Sequence, residues 1–510
     1  MLGGNVTMVG PPPPPPPPPR VENEAPPVAF TDNDGHFEIA GLDAGRYAVS
    51  ARKAGFVPTT YGSHRAGEPP IMIDLADGVR ATVSVRMSRS SGISGRIVDQ
   101  YGEPVEGVLV QAERLIRTEG RIAPKAAGMA TTDDLGAYRI GALPASRYVV
   151  NAYVNRAAQD MMFFATDVGG VANAELLRAL PGSSQARMYY PGAVGLAGAQ
   201  PIDLHVGEER GSIDFAVGAD TTFPTVTLSF VDADGKAVPA DATLAVTSGE
   251  IPRFLPVLMR NPKIALRVEP GTWTVLARGN GTVGMAEISA TSDASATVVL
   301  GKGGRVAGRV ESDGAPLQPG RFIVTAGHPA DVAVFSRWGN TANGRPNGTF
   351  EIDQLLGPIQ LRVVAPPKGW ALKAILLDGR DITDGSIDVK PTTAIDNVRV
   401  VMTNRVATLE GTAVDAQGTT LADYSVLVFP ADAALAAHAR RYARWARPNQ
   451  EGRFVVDDLL AGEYFAVATN DVDDAQWQNG DYLERFRTQA TKVTLGESDK
   501  KTIALPIAPQ

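Results

Sequence analysis

Polar and apolar positions alternate along the chain in short bursts, and the burst at Thr31–Ala51 sets the pattern. Thr31-Asp32-Asn33-Asp34-Gly35 reads as a polar turn, after which Phe37 and Ile39 alternate with polar or small neighbours. A second break, Gly41-Leu42-Asp43-Ala44-Gly45, leads into Tyr47, Val49 and Ala51 at the same spacing. A two-residue period predicts strands, and it puts these five apolar side chains on one face of a pleated ribbon. An isolated hairpin is marginal in water, so that face calls for further strands against it.

The burst recurs, which makes the chain a repeat protein. It returns as Thr132 to Gly136 with Tyr138, Ile140, Tyr148, Val150 and Ala152, and in degenerate form as Ile264, Leu266, Val268, Trp273, Val275 and Ala277. A fourth copy carries Phe350, Ile352, Ile359, Leu361 and Val363, and a fifth Phe454, Val456, Tyr464, Ala466 and Ala468. With flanking strands, each full copy offers the six or seven strands of a two-sheet sandwich. The expected organisation is a disordered proline-rich segment over 1–26, an incomplete first sandwich over 27–90, and full sandwiches over 91–220, 221–302 (degenerate), 303–403 and 404–510. Short modules on short linkers are expected to be independent of one another.

Pro11 to Pro19 form an extended polyproline segment, and the first copy lacks the opening strands of the others. A truncated N-terminus is therefore expected; no signal peptide is visible after Met1, and with a truncated start that absence is uninformative. Two insertions break the pattern: Arg156 to Met188, with a short helix expected at Asn173 to Leu180, and Ala431 to Trp445, rich in Ala and Arg.

Composition narrows the partners. The 53 glycines and 38 prolines in 510 residues fit many strands joined by turns. A net charge of -8 argues against nucleic acid or an anionic membrane surface, and no apolar run is long enough to span a bilayer. Without cysteine the chain has no disulfide, thiolate metal site or catalytic thiol.

The run Ile93-Ser94-Gly95-Arg96-Ile97-Val98-Asp99, then Gly102 to Val108, then Thr132-Asp133 through Tyr148, resembles the carboxypeptidase regulatory-like domain. Gly308-Arg309-Val310 and Gly411-Thr412-Ala413-Val414-Asp415 open two later copies similarly, and Gly369-Trp370-Ala371-Leu372-Lys373 through Asp384 is similar to a segment of multi-repeat members. The resemblance implies an all-β tandem array of small antiparallel β-sandwich domains, transthyretin-like or prealbumin-like, here with short helical insertions. It further implies an extracytoplasmic place, whether secreted, periplasmic or at the cell surface, and a non-catalytic role that is structural, adhesive or carbohydrate-binding. The alternative is an accessory fragment of a larger peptidase or of an outer-membrane receptor of the TonB-dependent type.

Candidate chemistry is sparse. His36, His64, His205, His328 and His438 are scattered singly, without the paired spacing of a catalytic zinc site. No catalytic residue, metal or cofactor is expected. Gly279-Asn280-Gly281-Thr282-Val283-Gly284 fits a dinucleotide fingerprint, but an alternating strand follows it where a helix is needed, so it reads as a hairpin turn. Asp32 with Asp34, and Asp232 with Asp234, could suggest calcium; the closing Glu of such a loop is missing, and Asx turns explain them. Carbohydrate or a cell-surface protein remains as partner of a monomer. Trp338, Trp445 and Trp477, expected in loops among polar residues, are the candidate ligand-binding residues, since flat aromatic faces pack on sugar rings.

Overall fold

The computed structural model describes residues 27–65, 67–153, 187–218, 223–246, 253–317, 322–329, 340–343, 345, 347–364, 366–470 and 472–508. Two compact units are present: the described parts of 1–46 with 74–80, and of 47–73 with 81–510.

In the small unit the alternation is visible but its core is open. Phe37, Ile39 and Leu42 are half-buried between exposed neighbours, and none of residues 27–46 is fully buried.

The large unit is all-β, with four sandwiches of two sheets each. The fifth copy shows the plan. Ala407–Val414, Arg453–Leu459 and Lys500–Pro506 form one sheet, and Ser425–Pro430, Arg444–Ala446, Gly462–Thr469 and Thr491–Leu495 the other. Pairing is antiparallel except that the first strand of each copy runs parallel to its last, as Ala407–Val414 does with Lys500–Pro506, and in the second copy to Glu209–Arg210 as well. Separate apolar clusters fill the copies, centred on Tyr148, Trp273, Phe350 and Phe454.

One expectation is corrected here. The two strands of the repeated burst do not form a ribbon with each other; they enter opposite sheets. Ala137–Leu143 pairs with Ser91–Val98, while Ser146–Tyr153 pairs with Leu109–Thr118, and the third, fourth and fifth copies divide in the same way. Their apolar faces therefore meet across the sandwich. A bulge causes part of the change of direction: two residues, ending in Ala142, Gln354 or Asp458, oppose one on the partner strand. Those three residues have φ of 58°, 59° and 58°. The extra residue also reverses side-chain parity, so Leu143, Leu355 and Leu459 turn inward although strict alternation from Tyr138, Phe350 and Phe454 would turn them out. The connection is then closed by an aromatic side chain. Tyr148 Oη donates to Pro144 O at 2.7 Å, Tyr464 Oη to Leu460 O at 3.0 Å, and Trp273 Nε1 to Glu269 O at 2.9 Å.

The parallel pair explains the opening glycines. A Cβ on Gly308 or Gly411 would collide with the backbone carbonyl of Val398 or Ile503 on the last strand, and one on Gly95 with that of Ile213, between Glu209–Arg210 and Phe215–Ala216. Gly411→Ala is therefore expected to destabilise the fifth copy by about 1–3 kcal/mol, because backbone in a paired strand cannot step aside. Chemical denaturation measures it, and an unchanged midpoint would refute the close approach.

The described ends of the two insertions join the sheets, contrary to the expectation that they lie outside them: Arg187–Tyr189 pairs with Ser146–Tyr153 and Arg444–Ala446 with Ser425–Pro430, while Asn173 to Leu180 falls outside the described residues. In the fifth copy, helices α1 (Ala433–Ala436, capped by Asp432 accepting from Ala434 N at 2.8 Å) and α2 (Ala439–Tyr442) precede Trp445, which sits on the strand Arg444–Ala446. A further insertion was not anticipated and carries α3 (Gly480–Glu484). Together they cover the outer face of a sheet, so Ser425–Pro430 is buried on both sides: Val426 and Val428 face the sandwich, Leu427 and Phe429 face Ala439, Tyr482 and Leu483.

The copies of the large unit are not independent, contrary to expectation. The hairpin of Leu109–Thr118 and Arg121–Thr131 in the second copy docks on 473–479 of the fifth. Arg114 donates to both carboxylate oxygens of Asp474 at 2.7 and 2.6 Å, and both side chains are largely buried. Backbone bonds continue the contact, from Arg117 N to Ala475 O at 2.7 Å and from Glu119 N to Gln478 O at 3.2 Å. Elsewhere Arg447, whose side chain is 1% exposed, pairs with Glu68 at 2.6 Å and with Asp423. Linkers alone do not join these modules; buried polar contacts do.

Candidate functional site

A cavity of about 950 Å³ opens where the fourth and fifth copies meet, with one residue supplied by the second. One wall is the outer face of a fourth-copy sheet. Alternation there turns Val324, Leu361 and Val363 toward the sandwich core, which leaves Ile323, Thr325, Gln360 and Arg362 facing out. Trp370 stands beside it, packed edge-on against Phe322 at 5.9 Å between ring centroids. The opposite wall comes from α2 and its flanks: His438, Arg440, Arg441, Tyr442 and Arg444.

These walls are rigidly wired. Arg441 pairs with Asp384 at 2.9 Å, donates to the carbonyls of Leu372 and Lys373, and lies over the Tyr442 ring at 4.6 Å. Tyr442 Oη donates to the same Asp384 oxygen at 3.0 Å, and burial pushes its phenol above the ordinary range. Arg444 donates to the carbonyls of Arg441 and Ala443, and burial pulls its guanidinium below its ordinary value. Asp458 accepts from Gly369 N at 3.2 Å. Each of these contacts fixes a side chain that faces the cavity.

Glu119 enters from the second copy at the tip of its hairpin. Burial raises its pKa, His438, Arg440 and Arg362 oppose the rise, and Asp384 adds to it. Its carboxyl thus binds a proton more tightly folded than unfolded. Ionisation opposes folding; the penalty is absent below the ordinary value of 4.5 and sets in as pH rises through the raised one. Glu119→Gln is expected to stabilise the protein near about pH 7.5, with the gap closing near about pH 4. Paired denaturant melts at both pH values check this, and a gap that widened in acid would reverse the sign.

The sequence candidates lie elsewhere. Trp338 is outside the described residues. Trp445 and Trp477 come together, ring centroids 6.0 Å apart and planes at 61°, both half-buried against the outer cluster of the fifth copy. Trp445 Nε1 is buried without a hydrogen-bond partner among the described residues. Since neighbouring residues on a strand point to opposite sides, Arg444 faces the cavity and Trp445 faces away. Sequence reasoning missed Trp370, Tyr442 and Glu119. The available signals were Glu119-Gly120 between two strands and Trp370 in its loop.

The acidic turns and the glycine motif are structural. Asp32 Oδ1 accepts from the N–H groups of Asp34 and His36, and Asp99, Asp133, Asp232 and Asp415 repeat this. Asn449 does the same without a charge, so the turn needs an acceptor and not an anion. Asp32, Asp34 and His36 lie close enough to share an ion, but all three are exposed. Asn280-Gly281 joins Thr272–Gly279 to Thr282–Ser289 as a two-residue hairpin turn. Among the described residues, no helix is long and apolar enough to cross a membrane.

No family model matches the chain, and no curated protein matches it. Among solved structures it is similar to the Bacillus anthracis TIE protein at 10% identity, over 81% of this chain and 73% of that one, with a TM-score of 0.17. A streptococcal ancillary pilin matches at 11% identity over 83% and 100% with a TM-score of 0.18. The shaft pilin SpaA of Lactobacillus rhamnosus GG matches at 13% over 42% and 97% with a TM-score of 0.17. Scores this low carry no argument about function, and the fold rests on the sheet topology above.

Proposed function

We propose that the chain is a non-catalytic array of carboxypeptidase regulatory-like sandwiches that works outside the cytoplasm as a structural or adhesive scaffold and contacts carbohydrate. The modules are 27–90, 91–220, 221–302, 303–403 and 404–510, and Trp338, Trp445 and Trp477 are proposed contacts. The observation that carries the reading is the wiring of the cavity walls: Tyr442 and Arg441 donate to Asp384, and Arg441 and Arg444 to backbone carbonyls. Groups fixed in this way hold a surface in shape and are poor proton carriers. A glycan array on the purified chain, run beside a panel of glycoside and peptide substrates, tests the proposal. Binding without turnover is expected. Turnover removes the non-catalytic reading, and absence of binding at millimolar glycan removes the carbohydrate one.

A further inference from the structure

The composition of the cavity suits one ligand class. Its guanidinium groups are Arg362, Arg440, Arg441 and Arg444. Its carboxyls are Glu119, Asp384, Asp457 and Asp458, so the formal charges of the four guanidinium and four carboxyl groups cancel. A charged ligand gains nothing from such a lining and loses its hydration on entry. Planar donors and acceptors held in place around a Trp ring fit vicinal hydroxyls and the apolar face of a sugar. The volume lies within the range of small-ligand pockets.

Glu119 supplies an independent observation. It has φ +50° and Gly120 has φ +74°, so the hairpin turns through two left-handed residues. That turn favours Asn or Asp followed by Gly, and a longer side chain in the first place is a strained choice. The turn chemistry does not ask for glutamate; the cavity that receives its carboxyl does. The hairpin is pinned where this side chain is delivered, through Glu119 N to Gln478 O and Gly120 N to Asn479 Oδ1 at 3.3 Å.

We propose that this cavity binds a neutral oligosaccharide, with Trp370 as the stacking surface and Glu119 as a hydroxyl acceptor lent by the second copy. The proposal rests on the carbohydrate reading and narrows it to a site assembled from three copies. Trp445 and Trp477, the contacts proposed above, form a separate patch that this ligand does not reach.

Titration calorimetry of the full chain with maltotriose, cellotriose and galactotriose, and with trigalacturonate as the charged counterpart, tests it. At least one neutral trisaccharide is expected to bind. Trp370→Ala should weaken it at least about tenfold, Glu119→Gln by about three- to tenfold through the lost acceptor, and Trp445→Ala by less than about twofold. Thermal melts confirm that each variant is folded, and Glu119→Gln, nearly isosteric, serves if Trp370→Ala is not. A preference for trigalacturonate overturns the proposal. So does neutral binding that survives both cavity substitutions but falls with Trp445→Ala, a result that leaves the broader carbohydrate reading standing. Binding of no glycan in either assay removes both.

Discussion

Tyr148→Ala is expected to cost the second copy about 3–5 kcal/mol, a large share of the roughly 5–15 kcal/mol that holds a domain together. The ring is fully buried among Ile93, Ile140 and Phe215, and its hydroxyl closes the link between the two sheets through Pro144 O. Burial pushes its phenol up to about 12, against the opposing charge of Arg114, so it remains a donor across the working pH range. Truncation therefore leaves a cavity and also removes the hydrogen bond to Pro144 O. The effect should not stop at the second copy. Tyr148 lies directly across from Arg114 on the neighbouring strand, and Arg114 holds Asp474 of the fifth copy. Calorimetry should show the transitions of both copies moving down together. A shift confined to one transition would show that the docked hairpin transmits nothing.

The fold was legible because a two-residue period survives insertions and needs only local residues. Phe454 with Val456, and Tyr464 with Ala466 and Ala468, mark two buried faces without reference to anything distant. Which sheet each strand joins was not legible. That depends on a bulge at Asp458 and its counterparts, where Ala, Gln and Asp occupy a left-handed position that composition does not announce. Glycine at the corresponding position of the first copy, Gly41 with φ 74°, was the only local hint. The site was less legible still. Trp370 and Trp445 both sit near basic residues in the sequence and both are half-buried against an apolar cluster; Trp370 also lines the cavity, while strand parity turns Trp445 away from it. Glu119 reaches the same cavity from more than 200 residues away, through a docking contact that no repeat pattern encodes.

That contact yields the second large effect. Asp474→Ala leaves the Arg114 guanidinium in a place where its side chain is 13% exposed, with a hydrogen bond from Nε to Ser146 Oγ at 3.0 Å. Removing one member of a buried pair costs about 3–5 kcal/mol, because the other is left charged and desolvated. Removing both is less harmful than the sum, so Arg114→Ala with Asp474→Ala should recover about 1–3 kcal/mol of coupling in a double-mutant cycle. The cycle separates the pair from its surroundings. The backbone bonds from Arg117 N and Glu119 N persist in principle in every variant, so whatever docking survives the double substitution belongs to them. Strictly additive losses would mean that the two side chains meet without holding the copies together. In that case the second copy could leave the fifth at little cost, and Glu119 would leave the cavity with it.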